Sequence, residues 1–360
     1  MSTSATLTRH QIDTLQAELD AIGSELRADL GARDARHIRR VVRLAMWCAI
    51  SGRSLLMFGR DPISFAAGVL LLSVSRILDV MEIGHNVIHG QYDWMNDPRL
   101  DSRTFEWNTL CTSANWKHSH NVIHHNHTNI LGLDRDLGYG ILRVCDEQRW
   151  ERRHHAQPLI YLIMILIFEL GIGTYDAEVD ALREKRISRA EFMQRLQPFR
   201  RKLRGKLIKE YLFFPLLALL TGNALRVLAG NFLTTLLVQA WTNIIIFCGH
   251  FTQRVRIYTQ AETAKETRGD WYIRQIEGSS NIDGPRWFFL LTGHLSHQIE
   301  HHLFPDIPAH RYPDIAPRIR GICARYGVQY NSGTLWSQYA AVIARLLRYS
   351  RRPSEPMAIA

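Results

Sequence analysis

The sequence predicts an all-α integral membrane protein, with four transmembrane helices in two hairpins and a cytoplasmic helical cap carrying clusters of histidine. Three observations predict it. Apolar residues collect in separate blocks, although mean hydropathy over the chain is only -0.15. Basic residues crowd the stretches outside the hairpins and are scarce in the turns within them. Of the 17 histidines, eleven fall in three short stretches.

Residues 1–40 form an amphipathic segment, with Leu15, Leu19, Ile22 and Leu26 at helical spacing. The first hairpin spans about 41–59, where Arg43 and Arg53 interrupt the apolar run, and 63–81. Gly59-Arg60-Asp61-Pro62 is its turn. The second spans about 211–229 and 231–249, turning near Gly222 or Gly230. Each segment is close to the roughly 20 residues that a bilayer demands. Residues 158–173 are apolar but short and contain Glu169, which predicts an interfacial helix. The organisation is thus 1–40, a central domain over 41–320, and a cytoplasmic tail over 321–360.

Charge fixes the orientation. Six arginines lie in 1–40, eleven basic residues in 183–209 and eight arginines in 303–360. The positive-inside rule puts all of these on the cytoplasmic side, the plasma or inner membrane in a bacterium. The net charge of +10 is explained by these flanks, so no nucleic-acid partner is expected. The five cysteines are scattered, with no CxxC pair, and no cleavable signal peptide is visible.

The histidines carry the chemistry. His85 and His89 are four apart, so on a helix their rings share one face. His120 and His124 repeat this, with His125 beside them. So do His297 and His301, with His302 adjacent, and His250 ends the last span. Such a density of imidazoles is tolerable when a metal holds them neutral. Imidazoles without paired thiolates suit iron, zinc or copper. HExxH is absent, and so is the ExxH of soluble carboxylate bundles. An all-histidine set at a membrane face points to non-haem iron and O2. Glu300, Asn121, Asp134 and Asp136 are candidates to orient the ligands from behind. Trp94, Trp107 and Trp116 suit interface anchors, packing or substrate walls. His10, His37 and His310 read as surface residues.

HNVIH (85–89), HNVIHH followed by NHTN (120–129), and QIEHHLFPDIP (298–308) resemble the boxes of the membrane fatty acid desaturase superfamily. QIEHHLFP resembles most the acyl-lipid and front-end (delta-6-like) type. The likeness covers most of 40–320, in the family's order of hairpin, two boxes, hairpin and box. It implies that His85, His89, His120, His124, His125, His301 and His302 ligate the metals, with His250 matching a further family histidine. Gln298 stands where many relatives have histidine, and Gln298 or His297 is favoured over His294 to complete the third box. The resemblance implies two non-haem iron ions, O2 as co-substrate, and a cis double bond introduced into a fatty acyl chain on CoA or a lipid. No HPGG haem motif of a fused cytochrome b5 is present, so electrons are expected from an external donor, ferredoxin with its reductase or cytochrome b5. A hydroxylase of the same superfamily is the nearest alternative. A non-catalytic histidine-rich metal-binding membrane protein is the reading from another class.

Overall fold

The computed structural model describes residues 7–353 except 176 and 184. Helices dominate. The strands among the described residues are Asn281–Asp283 and Ser332–Thr334, paired in parallel.

Helix α1 (Arg9–Ala28) starts at a reciprocal cap in which the Thr8 hydroxyl accepts from Gln11 N and the Gln11 side chain accepts from Thr8 N. It buries Ile12, Leu15, Leu19, Ile22 and Leu26, the face that the helical spacing picks out. That face packs on Ile299, Leu303, Phe304 and Ile315, so the N-terminal helix covers the third histidine box from outside.

Helix α2 (Ala32–Phe58) and helix α3 (Pro62–Ile88) form the first hairpin. Asp61 caps α3 by accepting from Ser64 N, and Pro62 at the first turn costs no hydrogen bond. The two helices cross closely because they meet at glycine. A Cβ on Gly52 would sit 2.8 Å from Leu72 N and 2.9 Å from Gly68 O. Residues Leu78–His85 of α3 wind as π-helix, a local widening often found at functional positions. A second such segment, Lys117–His124, lies within helix α4 (113–127).

The block expected as an interfacial helix is bent by 95° between α5 (Arg152–Leu166) and α6 (Phe168–Tyr175). Residues 211–229 do not make a single helix. They belong in part to α7 (197–221), which begins in the basic stretch and runs into the apolar one. The chain reverses at Gly222, whose φ of 74° is left-handed. Helix α8 (Ala224–His250) follows. Of the two glycines expected near the turn, Gly222 makes it and Gly230 is a packing position inside α8. A Cβ on Gly230 would lie 2.7 Å from the Leu56 side chain.

Among the described residues three helices, α2, α3 and α8, are long and apolar enough to cross a membrane, or four if the bent α5–α6 pair is one span. Arg53 is tolerated on α2 because its guanidinium donates to both oxygens of Glu210 on α7 at 2.8 Å and lies over the Phe214 ring. Arg76 of α3 donates to the same carboxylate. The triad ties α2, α3 and α7 together, and each guanidinium has the Glu210 carboxylate as partner.

The remaining cap comprises α9 (Arg268–Glu277), α10 (Gln298–Leu303), α11 (Tyr312–Tyr326) and α12 (Leu335–Ser350). Its core joins α1, α9, α10 and α11, while α12 packs against α8 through the cluster around Ile245, Val342 and Leu346.

Candidate metal centre

Four elements deliver the histidines. The end of α3 supplies His85 and His89, α4 supplies His120, His124 and His125, the last residue of α8 is His250, and α10 supplies His301 and His302. The nitrogens of His85, His89, His120 and His301 all lie within 4.8 Å of one another. A second group, His124, His250 and His302, meets the same limit. His85 and His301 approach to 3.3 Å between Nε2 atoms, and His302 and His250 do likewise. His125 sits between the groups, with its ring 4.7 Å from His89, 4.8 Å from His301 and stacked on His302 at 4.5 Å. The Gln298 side chain reaches His250 Nε2 at 2.8 Å, so its amide borders the second group.

These residues fit a pair of metal ions. His89 Nε2, His120 Nε2, His124 Nε2 and both nitrogens of His125 are buried with no hydrogen-bond partner, which is costly unless something electrophilic occupies the space between them. Burial, and then the neighbouring imidazoles, push the protonation of His120, His125, His301 and His302 well below its usual range. They are therefore neutral, the form that binds a metal. His124 differs. Burial opposes its cation, but the Asp134 carboxylate overrides this and raises its proton affinity.

Groups behind the histidines hold the rings. His124 Nδ1 is 3.0 Å from both Asp134 oxygens, and Asp134 accepts from Asn129 N at 2.7 Å and Asp136 N at 2.9 Å. Asp136 approaches His120 Nδ1 at 3.4 Å. Asn121 donates to Ile88 O at 3.1 Å and so ties the second box to the first. His302 Nδ1 lies 2.9 Å from Gln275 Oε1 and 3.2 Å from the Thr128 hydroxyl.

A family model, Fatty acid desaturase, matches residues 62–334. A "NADPH-dependent stearoyl-CoA 9-desaturase" of Mycobacterium tuberculosis is 39% identical over 348 residues, 96% of this chain and 82% of the relative. The chain belongs to the fatty acid desaturase family. A more distant "sn-1 linoleoyl-lipid 6-desaturase" of Synechocystis is 26% identical, covering 78% of each chain. An "Acyl-lipid (8-3)-desaturase" of Mortierella alpina is 27% identical over 67% of this chain and 54% of its own. This fatty acid desaturase is an oxidoreductase and an integral membrane protein, and its histidine clusters fit a two-metal site.

Against that centre, some sequence-predicted residues lie elsewhere. His297 is buried beside Ser296 Oγ, with its ring edge-on to Phe289 at 4.5 Å, away from the clusters. Burial pushes it down to about 3. Glu300 faces away too. Its carboxylate accepts from Asn281 at 2.8 Å and from the Tyr330 hydroxyl at 2.8 Å, and burial pushes it up to about 7. His294 Nδ1 meets Glu82 at 2.8 Å, and the other Glu82 oxygen meets His37, whose ring stacks on His310. His37 and His310 are thus parts of a buried network rather than surface residues.

The desaturase has a cavity of about 350 Å³ at the centre, within the range of ligand pockets. It touches His85, His120, His124, His250 and Gln298. Its walls near the histidines are apolar, among them Met81, Trp107, Trp116, Ile172, Ile246 and Phe251. Trp116 stacks on His120 at 4.1 Å and stands edge-on to His85 at 5.1 Å. Of the three tryptophans singled out by sequence, Trp107 and Trp116 are walls, while Trp94 is half-exposed and donates to Gln91 O. Gln275, Thr128 and Trp116 escaped the search for ligand-orienting residues. Only the position of Trp116, four before His120, gave a signal.

Proposed function

We propose that this desaturase uses two non-haem irons and O2 to introduce a cis double bond into a fatty acyl chain borne on CoA or a membrane lipid. The observation that carries this is the pair of buried imidazole groups beside one apolar cavity. His85, His89, His120 and His301 would hold one iron, and His124, His250 and His302 the other. His125, between the two, is a further donor open to either, Gln298 is the nearest further donor to the second, and His297 is left out. Asp134, Asp136, Asn121 and Gln275 orient this set, whereas Glu300 braces the third box through Asn281 and Tyr330. The irons would supply the O2 and electron chemistry that side chains lack. The balance is –CH2–CH2– plus O2, two electrons and two protons giving –CH=CH– and two waters. The protein's own part is to hold the chain in the apolar cavity, exclude water, and keep the imidazoles neutral and oriented.

The four-span topology is part of the same reading, with α7 as the third span. Asn223 after α7 donates to Met57 O and Gly59 O, so its turn lies beside that of the first hairpin. Lys202 near its start donates to Trp107 O, at the histidine end. The domain over 41–320, flanked by 1–40 and 321–360, and the cytoplasmic side of the centre follow from the basic flanks. The relative described as NADPH-dependent supports electrons that begin at NADPH; the external carrier of this reading is ferredoxin with its reductase, or cytochrome b5. That relative's name also supports a stearoyl-type thioester desaturated at carbon 9, ahead of the acyl-lipid substrates named for the more distant ones.

The test is expression in a host of defined lipid composition, followed by mass-spectrometric location of new double bonds. The reading requires a new monounsaturated acyl chain that His124→Ala abolishes without loss of membrane insertion. An oxygen inserted in place of two hydrogens lost would overturn it.

A further inference from the structure

Helices α6 and α7 both line the cavity. At one end they touch: a Cβ on Gly173 of α6 would lie 2.5 Å from the buried Phe199 ring of α7. Further along, a side-chain pair bridges them, Lys206 donating to Glu169 at 2.6 Å. Glu169 also accepts from Leu110 N at 3.1 Å. Between these points Gly205 faces the cavity, and a Cβ there would meet nothing within 4 Å. The outer surface beside the gap is apolar and exposed, with Leu170 37%, Leu207 49% and Ile208 45% accessible. An exposed apolar strip of this kind, beside the spans, suits contact with lipid. The cavity therefore adjoins this apolar surface, with the Lys206–Glu169 pair between the two helices. An ion pair at a water–lipid boundary separates more readily than interlocked helices.

We propose that the gap between α6 and α7 is the doorway through which the acyl chain of a bilayer-resident lipid slides sideways into the cavity, with Lys206–Glu169 as its latch. This deepens the reading above, since it takes the cavity to be the acyl site. It commits the substrate to one whose chain already lies in the membrane, whatever its carrier.

The doorway can be plugged after folding. The native cysteines are all buried, so Gly205→Cys adds an accessible thiol that a bulky methanethiosulfonate modifies and a reductant releases. The holoenzyme in nanodiscs is irradiated with a phosphatidylcholine carrying a diazirine in mid-chain, and labelled peptides are mapped. Wild type treated with the same reagent controls for Cys111, which also borders the cavity. The proposal requires that cavity residues such as Ile172 and Leu110 are labelled before modification, not after it, and again on reduction. Labelling of Leu220 on the outer face, 85% exposed, stays constant throughout. Glu169→Gln, which weakens the latch without filling the gap, raises the initial rate of cavity labelling. Cavity labelling that persists in the plugged protein overturns the doorway. The labelling needs neither iron nor O2, so a labelled cavity without double-bond formation counts against the desaturation reading alone.

Discussion

Asp134 shows how a single side chain sets the quality of a ligand. Both of its oxygens lie 3.0 Å from His124 Nδ1, and two backbone N–H groups hold it there. Asp134→Asn keeps the volume and removes the charge. Metal affinity is expected to fall about 10–100-fold, the usual cost of losing a partner behind a ligand, read by chelator competition. His297→Ala leaves metal content unchanged, whereas His301→Ala lowers it. The histidines of the clusters were legible because four-residue spacing forces two rings onto one helix face. The third box was harder. Its start is a short 3-10 turn, Leu295–His297, so the four-residue rule does not carry His297 to the face of His301. The direction of Glu300 is likewise hidden from local pattern, since Asn281 and Tyr330, which donate to its carboxylate, are distant in sequence. Gln275 is a lone glutamine in an amphipathic helix, and nothing local distinguishes it.

Among the elements, hydropathy located the spans but not their ends. The first candidate begins at Ala32 because α2 continues upward as an amphipathic helix with Asp34 and Ile38 buried. Helix α7 was hidden because it starts as QPFRRKLRGKL, charged enough to read as loop. The ion triad explains why arginines could interrupt apolar runs. Glu210→Leu would leave Arg53 and Arg76 facing one another. A loss of about 3–5 kcal/mol is expected, seen as a lowered Tm in detergent. Gly52→Leu is expected to cost about 1–3 kcal/mol by overpacking against the α3 backbone, with the same readout. Gly321→Ala, with no atom nearer than 3.9 Å, is the control.

For the whole molecule, the cap and the hairpins are one structure because the clustered histidines come from both. Two helix ends at the membrane face and two cap helices converge on one cluster, and α1 closes the cap over the third box through Phe304 and its neighbours. Phe304→Ala therefore loosens α1 and α10 together. It is expected to cost about 3–5 kcal/mol and to release metal, followed as faster loss to a chelator. Removing metal from the intact protein lowers Tm, because ions bound only in the folded state stabilise it by mass action. The sequence carried the number and order of the boxes. The cavity, its tryptophan walls and its open flank arise from contacts between distant segments, which no local pattern encodes.

The most direct test is metal analysis and Mössbauer spectroscopy of the full-length protein purified from iron-57 medium, as wild type, His301→Ala and His302→Ala. Two irons per wild-type chain in two histidine-rich environments, with each substitution weakening a different one, is the predicted result. One ion or none per chain, a metal other than iron, or full retention of both irons in both variants would contradict the di-iron assignment.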